Sequence, residues 1–243
     1  MKLSLVIPVY KSANTLAELH RRIGRVVKQQ NWDCEVIYVN DASPDNSLEV
    51  LQSLPPEPAH RTICLKTNLG QSSALLCGMF FAQGDFIGTL DADLQDDPEH
   101  LPRLLLAFRK NTEVVFAGRA GNYESKGKLL TSAVFKTWVH LVSGRTVPNN
   151  AGLFLVISRD AAQKIIPFLP NDPYLIGLVA KLRLCCQTVT VNREANHLGQ
   201  SSYTFRKRLA VARQFFRTLS AEPPPSPYAL SVWIENHVQR SSN

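Results

Sequence analysis

The stretch Asp91-Ala92-Asp93-Leu94-Gln95-Asp96-Asp97-Pro98 follows directly on the apolar run Phe86-Ile87-Gly88-Thr89-Leu90. The run reads as a buried strand. Two carboxylates one residue apart at its end are costly unless a cation neutralises them. A hard divalent cation is the usual answer: Mg²⁺ takes one or two protein carboxylates and fills its shell with water and substrate phosphates. This loop is therefore a candidate meeting point for a metal ion and a nucleoside diphosphate. The plainer reading is a solvated acidic loop that caps a helix, because Asp96 or Asp97 before Pro98 makes a good helix start. Capping accounts for Asp97 and Pro98 but leaves Asp91 and Asp93 unexplained.

A loop of this kind must be presented by a sheet. The runs Leu3–Val9, Cys34–Val39, Arg61–Leu65, Phe86–Leu90 and Glu113–Ala117 read as strands. Helix-period segments alternate with them at Thr15–Val27 (Asn14 as cap), from Ser43-Pro44-Asp45-Asn46, at Gly70–Ala82 and at Pro98–Lys110. That alternation predicts βαβ units and a mostly parallel sheet. It places Tyr10, Asp41 and Asp91 at the carboxyl ends of strands, the edge where open α/β sheets bind ligands. A strand-end Asp such as Asp41 can accept from a base imide or a ribose hydroxyl, although strand-end aspartates also serve as helix caps, as Asp45 can. Further on, helices are predicted at Gly127–Val142, Arg159–Ile166 and Leu175–Leu182, and strands at Leu153–Ile157 and Cys185–Val191. A proline-rich break, Glu222-Pro223-Pro224-Pro225-Ser226-Pro227, precedes a tail with helical character at Val232–Val238.

The 243 residues are 44% apolar and 19% charged, enough for one large domain with a sizeable core. A net charge of +7 favours anionic partners. The five cysteines, at 34, 64, 77, 185 and 186, show no metal-type spacing. They read as buried reduced thiols, which points to a reducing, cytoplasmic setting. Residues Met1–Tyr10 read as a first strand rather than a secretion signal. No apolar stretch reaches the roughly 18 residues that span a bilayer. The expected location is peripheral, on the cytoplasmic face of a membrane.

Pro8-Val9-Tyr10, the turn Asp41-Ala42-Ser43-Pro44-Asp45 and the Asp91/Asp93 pair together resemble the GT-A glycosyltransferases of family 2, in order and spacing. Lys66-Thr67-Asn68-Leu69-Gly70-Gln71 resembles that family's N-x-G turn. Asp91 to Glu99 resembles the longer D-A-D-L-Q-D-P-P-E signature of its polyprenyl-phosphate subgroup, which includes dolichyl-phosphate mannosyltransferases. Gly199-Gln200-Ser201-Ser202-Tyr203 resembles a later G-x-S-K-Y segment, so the likeness spans about residues 3 to 219. It implies an α/β fold of GT-A (Rossmann-like) type with a mostly parallel central sheet. It implies an inverting transfer from a UDP-, GDP- or dTDP-sugar to a polyprenyl phosphate or lipid-linked saccharide in envelope glycan synthesis, assisted by Mg²⁺ or Mn²⁺. Pro8, Tyr10, Asp41, Asn68 and Asp91 would hold the nucleotide. Asp91, Asp93 and Gln95 would hold the metal. Arg119, Lys128 and Ser132 fall where the subgroup grips the acceptor's phosphate.

Three departures bear on mechanism. Leu153 and Leu155 stand where the subgroup has an acidic residue and an arginine, Ser202 replaces a lysine, and Asn196 replaces an arginine. Donor diphosphate contacts then fall to Arg193, His197 and Ser201. A phosphate acceptor is already ionised near pH 7, its second pKa being about 6, and needs no general base. A sugar hydroxyl of a polysaccharide, the alternative acceptor, needs one. Asp93, Asp96 and Asp97 are the catalytic carboxylates on offer.

Phe205, Leu209, Ala212, Phe216 and Leu219 recur at helical spacing, and Arg206, Lys207, Arg208, Arg213 and Arg217 lie among them. Such a helix can lie on an anionic membrane or dock on the sheet with a solvated basic face. The division drawn from these features is a catalytic domain at 1–195, a basic amphipathic segment at 196–221 and a proline-rich appendage at 222–243. Pro8-Val9-Tyr10-Lys11-Ser12 lacks the glycines of a dinucleotide-binding turn, which excludes a dehydrogenase. It also lacks the Gly-rich phosphate loop of a nucleotidyltransferase. An acidic edge would repel a nucleic-acid backbone, so no nucleic-acid partner is expected. An inactive relative that binds only lipid or nucleic acid stays as the non-enzymatic alternative.

Overall fold

Along the first strand, Leu3, Leu5, Ile7 and Val9 fall on one face and Val6 on the other, all fully buried. A strand buried on both faces belongs inside a parallel sheet covered by helices on both sides. The computed structural model describes residues 1–119, 147–148, 150–191, 205–224, 226 and 228–239. Within them the chain runs β1 (Lys2–Val9), α1 (Ala13–Gln30), β2 (Asp33–Asn40), α2 (Ser47–Gln52), β3 (His60–Cys64), α3 (Gln71–Phe81) and β4 (Phe86–Thr89). It continues through α4 (Leu101–Leu106), β5 (Val114–Arg119), β6 (Leu155–Ser158), α5 (Arg159–Ile165), α6 (Leu175–Lys181), β7 (Cys186–Val191), α7 (Phe205–Ser220) and α8 (Tyr228–His237).

The strands form one seven-stranded sheet in the order β3-β2-β1-β4-β6-β5-β7. Every neighbouring pair is parallel except those made by β6, which runs against β4 and β5. One core packs α1, α2 and α4 on one face, with Leu16, Leu19, Ile23 and Leu104 against Leu3, Leu5 and Ile7. The other packs α3, α5, α6, α7 and α8 on the opposite face. The expected mixed α/β architecture with a mostly parallel sheet is present, and strand limits agree with the sequence pattern to within two residues.

Several helical expectations are corrected. The cap of α1 is Ser12, not Asn14, which lies inside the first turn. Asp45 in the next loop accepts from Ala13 N–H (3.3 Å) and so starts the helix two residues early. The helix expected over Pro98–Lys110 divides into a 3₁₀ turn, Pro98–His100, and α4, which stops at Leu106. There the chain turns back: Phe108 meets Phe86 edge-on (4.7 Å between centroids), and Arg109 N–H donates to Thr112 Oγ1 (3.1 Å). The helix predicted at Gly127–Val142 lies outside the described residues. Cys34 and Cys77 are buried as expected, but Cys185 is exposed.

The basic helix α7 forms where its periodicity places it, on a different face from the one expected. Phe215 and Thr218 are buried while Phe216 is 51% exposed. The partner is α6 rather than the sheet. Gly177 gives the room, since a Cβ there would sit 3.1 Å from Thr218 Cγ2 and 3.3 Å from Phe215 Cδ2. Residues 228–239, set apart in sequence by the proline run, pack on the body of the fold through Trp233, which is 9% exposed. No helix among the described residues is long and apolar enough to cross a membrane.

Helix α3 lies so close to the sheet that a Cβ on Gly78 would overlap Val6 Cγ1 and stand 2.9 Å from Val39 Cγ2. Gly78→Ala should therefore lower stability by about 1–3 kcal/mol through overpacking. Urea unfolding checks this, and an unchanged midpoint would show that α3 can retreat at no cost.

Candidate active site

Strands β1 and β2 stay paired as far as Val9 and Asn40, whereas β1 and β4 part after Val6 and Thr89. Beyond Val6 the β4 side of β1 is open. Pro8, which has no N–H for a ladder, falls in that stretch. Strands β2 and β3 lie to one side of β1 and β4 to the other. The opening is thus the switch point of the sheet, where ligand clefts form in open α/β folds. Tyr10, Asp41 and Asp91 leave the ends of β1, β2 and β4 at its rim.

Asp41 is 3% exposed. Its Oδ1 accepts from Leu69 N–H (2.7 Å), its Oδ2 from Gly70 N–H (2.9 Å), and its carbonyl from Asn68 Nδ2 (3.2 Å). Burial pushes the Asp41 carboxyl above its ordinary value, and the two amides pull against that shift. Asn68 and Asp41, both expected as nucleotide contacts, are therefore brought together. Gly70 holds φ at +85°, and an added Cβ would meet nothing within 4 Å. Conformation, not space, demands glycine there.

The next residue, Gln71, opens α3 and donates through Nε2 to Asp91 Oδ1. From the other side Thr15 Oγ1 donates to Ala92 O (2.5 Å), tying the acidic loop to α1. Asp93 is exposed, and its Oδ1 accepts from Gln95 N–H (3.0 Å) across Leu94, which is left-handed at φ 62°. Gln95 therefore meets Asp93 through its backbone. Lys11, Ala42 and Leu94, each the residue after Tyr10, Asp41 or Asp93, all have positive φ. Non-glycine residues in that region cost on the order of 1 kcal/mol or more and gather at functional sites.

The donor chemistry fits a hard cation. Asp91 and Asp93 offer oxygen only, which suits Mg²⁺ or Mn²⁺ rather than a thiol-seeking metal. No three His, Cys, Asp or Glu side chains gather as a metal site among the described residues. Two carboxylates plus diphosphate and water oxygens make a complete shell for Mg²⁺. Asp96 is buried (8% exposed). Asp97 is a cap: its Oδ1 accepts from Glu99 N–H (2.9 Å) ahead of Pro98, and it lines a surface groove with Glu18, Arg22 and Arg25 of α1. Arg119 ends β5 in register with Val191. Lys128, Ser132, Arg193, His197 and Ser201 lie outside the described residues, as do Asn196 and Ser202.

A second knot holds the first two strand-end loops together. Asp45 accepts from Ser43 Oγ (2.5 Å), Ser47 Oγ (2.6 Å), Ser47 N–H (3.2 Å) and Ala13 N–H. Ser43 Oγ also accepts from Lys11 N–H (2.7 Å). Lys11 Nζ in turn lies 5.4 Å above the Tyr10 ring. Gln71, Thr15 and Ser47 carry no site signature in the sequence, because their partners Asp91, Ala92 and Ser12 lie 20, 77 and 35 positions away.

The profile of glycosyl transferase family 2 matches residues 4–166. A Bacillus subtilis protein described as an uncharacterized glycosyltransferase, YkcC, is 30% identical over 225 residues, covering 90% of this chain and 69% of that one. The undecaprenyl-phosphate 4-deoxy-4-formamido-L-arabinose transferase of Yersinia enterocolitica is 28% identical, covering 91% and 68%. Among solved structures, mannosyl-3-phosphoglycerate synthase from Rubrobacter xylanophilus superposes with a TM-score of 0.65 at 18% identity, covering 94% and 79%. Glucosyl-3-phosphoglycerate synthase from Mycobacterium tuberculosis, solved with Mn²⁺, UDP and glucosyl-3-phosphoglycerate, gives 0.64 at 17%, covering 90% and 78%.

Burial works to raise the Asp45 carboxyl, but the bonds from Ser43, Ser47 and Ala13 outweigh it and hold the group at about 2 against an ordinary 3.8. A carboxyl depressed on folding adds stability above its unfolded value, and that contribution disappears as pH falls through the folded value. Asp45→Ala should therefore melt below wild type at pH 7, and the gap should close between about pH 4 and pH 2. Melting curves across that range decide it. A gap independent of pH would mean that the Asp45 charge contributes nothing.

Proposed function

The chain belongs to glycosyl transferase family 2, and we propose that it moves a sugar from a nucleotide-sugar to a polyprenyl phosphate or other lipid-linked acceptor, with inversion at the anomeric carbon. The observation that carries this reading is the crevice at the β1/β4 switch point, with Tyr10, Asp41, Asn68 and the Asp91/Asp93 loop around it. Tyr10, 44% exposed, is available to a base. Asn68 offers its side chain to base or ribose, and buried Asp41 holds the Asn68–Gly70 turn in place from beneath. Asp91, steadied by Gln71, and exposed Asp93 would hold the cation between them and the donor's diphosphate. A bound Mg²⁺ or Mn²⁺ supplies charge neutralisation to the departing nucleoside diphosphate. The acceptor oxygen forms its bond to the anomeric carbon from the opposite face as the bond to the diphosphate oxygen breaks.

The state of the carboxylates favours a phosphate acceptor over a hydroxyl. Asp97 is committed to its cap and Asp96 is buried. Leu155 is fully buried in the sheet, and Leu153 gives its carbonyl to Thr89 Oγ1. A phosphate, already anionic, needs no proton removed before attack, so a base is not required at any of these positions. Arg119, Lys128 and Ser132 are the proposed acceptor-phosphate contacts, and Arg193, His197 and Ser201 the donor-diphosphate contacts. A lipid-borne acceptor also agrees with α7, whose exposed Phe216 sits among Arg213 and Arg217 on its outer side. Such a face suits the cytoplasmic surface of an anionic membrane.

Two experiments test this. Thermal shift with UDP, GDP, dTDP and CMP, each with and without Mn²⁺, should show a metal-dependent rise with one nucleotide. At 100 times the dissociation constant the stabilisation is about 2.7 kcal/mol, and Asp93→Asn should abolish its metal dependence. No shift with any nucleotide would remove the donor site. Separately, vesicles containing anionic lipid should sediment with the protein, less at high salt and less for Phe216→Ser. Binding indifferent to both changes would take α7 out of the membrane contact.

A further inference from the structure

Strand β3 is an outer strand of the sheet, and an outer strand presents unpaired N–H and C=O groups. Here the chain's own C-terminal segment covers its end. Val238 forms an antiparallel bridge with Leu65. Lys66 N–H donates to His237 O (2.8 Å) and Gln239 N–H to Cys64 O (2.8 Å). Lys66 Nζ donates to Glu235 O (2.9 Å). The segment is anchored by Trp233, buried in the core and stacked on His237 with ring centroids 4.5 Å apart.

These three hydrogen bonds fall on Cys64 and Lys66, either side of Leu65 and just ahead of the turn whose Leu69 and Gly70 amides hold Asp41 and whose next residue, Gln71, reaches Asp91. The turn is thus gripped from two sides. Asp41 holds it from within the fold, and the C-terminal segment holds the strand that delivers it. Loosening the outer grip would let the two amides leave a buried carboxylate, and would release Gln71 from the acidic loop. We propose that residues 233–239 are a strap that fixes the Lys66–Gly70 turn and thereby sets the affinity for the nucleotide donor without touching it. This rests on the crevice being the donor site. His237, Val238 and Gln239 are positioning residues, and their effect belongs in donor binding rather than in turnover.

Ending the chain after Ser226 removes the strap but also takes Trp233 from the core, so that variant can fail to fold. Gln239→Pro is the cleaner change: it deletes one donor to Cys64 and leaves Trp233 in place. The first readout needs no ligand. Amide hydrogen exchange at Leu69 and Gly70 should quicken about fivefold, the effect of losing one net hydrogen bond. In parallel, the dissociation constant and KM for the Mn²⁺–nucleotide donor should rise by roughly the same factor, with kcat held. Unchanged exchange at both amides in folded Gln239→Pro overturns the strap. Faster exchange with unchanged donor affinity overturns its role in binding. If wild type binds no nucleotide at all, the donor reading fails by itself and the affinity half of the proposal goes with it, while the exchange data still decide whether the strap holds the turn.

Discussion

The site depends on one buried carboxylate. Asp41 sits at 3% exposure at the end of β2, where an ionised group is costly unless its oxygens are satisfied. Leu69 and Gly70 supply one N–H to each oxygen. Bonds to a charged group are worth about 1.5–3 kcal/mol each, so the pair offsets much of the burial. The consequence is geometric. The chain after β3 can satisfy Asp41 only by turning with glycine at position 70, and that turn starts α3. The first residue of α3 is then within reach of Asp91 across the crevice. The end of β2, the turn after β3 and the loop after β4 are in this way set by one acid group that lies below the surface they form.

The crevice itself comes from a mismatch in ladder length. If β4 followed β1 as far as β2 does, the same register would set Asp91 opposite Pro8 and Ala92 opposite Val9, and backbone pairing would close the gap. Instead the β4 ladder stops at Val6, and Pro8 cannot supply the N–H that would extend it. The three loops that surround the gap each contain a left-handed, non-glycine residue, at Lys11, Ala42 and Leu94. Such conformations persist only where neighbours over-determine them. The neighbours are visible: Ser43 on the Lys11 amide, Asp45 across both first loops, and Thr15 on the Ala92 carbonyl.

Much of this was legible in the sequence, and the reason is local. Short, nearly continuous apolar runs give the strands, and carboxylates placed just past those runs mark the binding edge. Asp41, Asn68, Asp91 and Asp93 emerge from the fold where their spacing puts them. What was not legible depends on partners distant in the chain. Both Phe215 and Phe216 are apolar residues on a basic helix, and only the gap left by Gly177 on α6 decides that Phe215 turns inward. The early stop of α4 depends on Phe86 receiving Phe108, and the early start of α1 depends on Asp45. Gln71 has no sequence mark beyond following a glycine. The C-terminal segment reads as an appendage because a proline run precedes it, yet Trp233 is a core residue.

The division of labour among the acids follows from the same contacts. Six carboxylates lie in the loops around the crevice: Asp41, Asp45, Asp91, Asp93, Asp96 and Asp97. Asp41 and Asp45 are spent on backbone amides and hydroxyls, and Asp97 on the Glu99 amide. Asp96 is buried, and Asp91 is steadied by Gln71 at one oxygen. Asp93 is the exposed member of the loop that points to solvent past the end of β4. In a chain with a net charge of +7, Asp91 and Asp93 make the end of β4 a local concentration of negative charge. Bare phosphates would be repelled by the pair, and a divalent cation held there would reverse the sign of the site. The acids of this edge therefore make sense as scaffold first, with exposed Asp93 the one that the structure leaves most open for the cation role proposed for it.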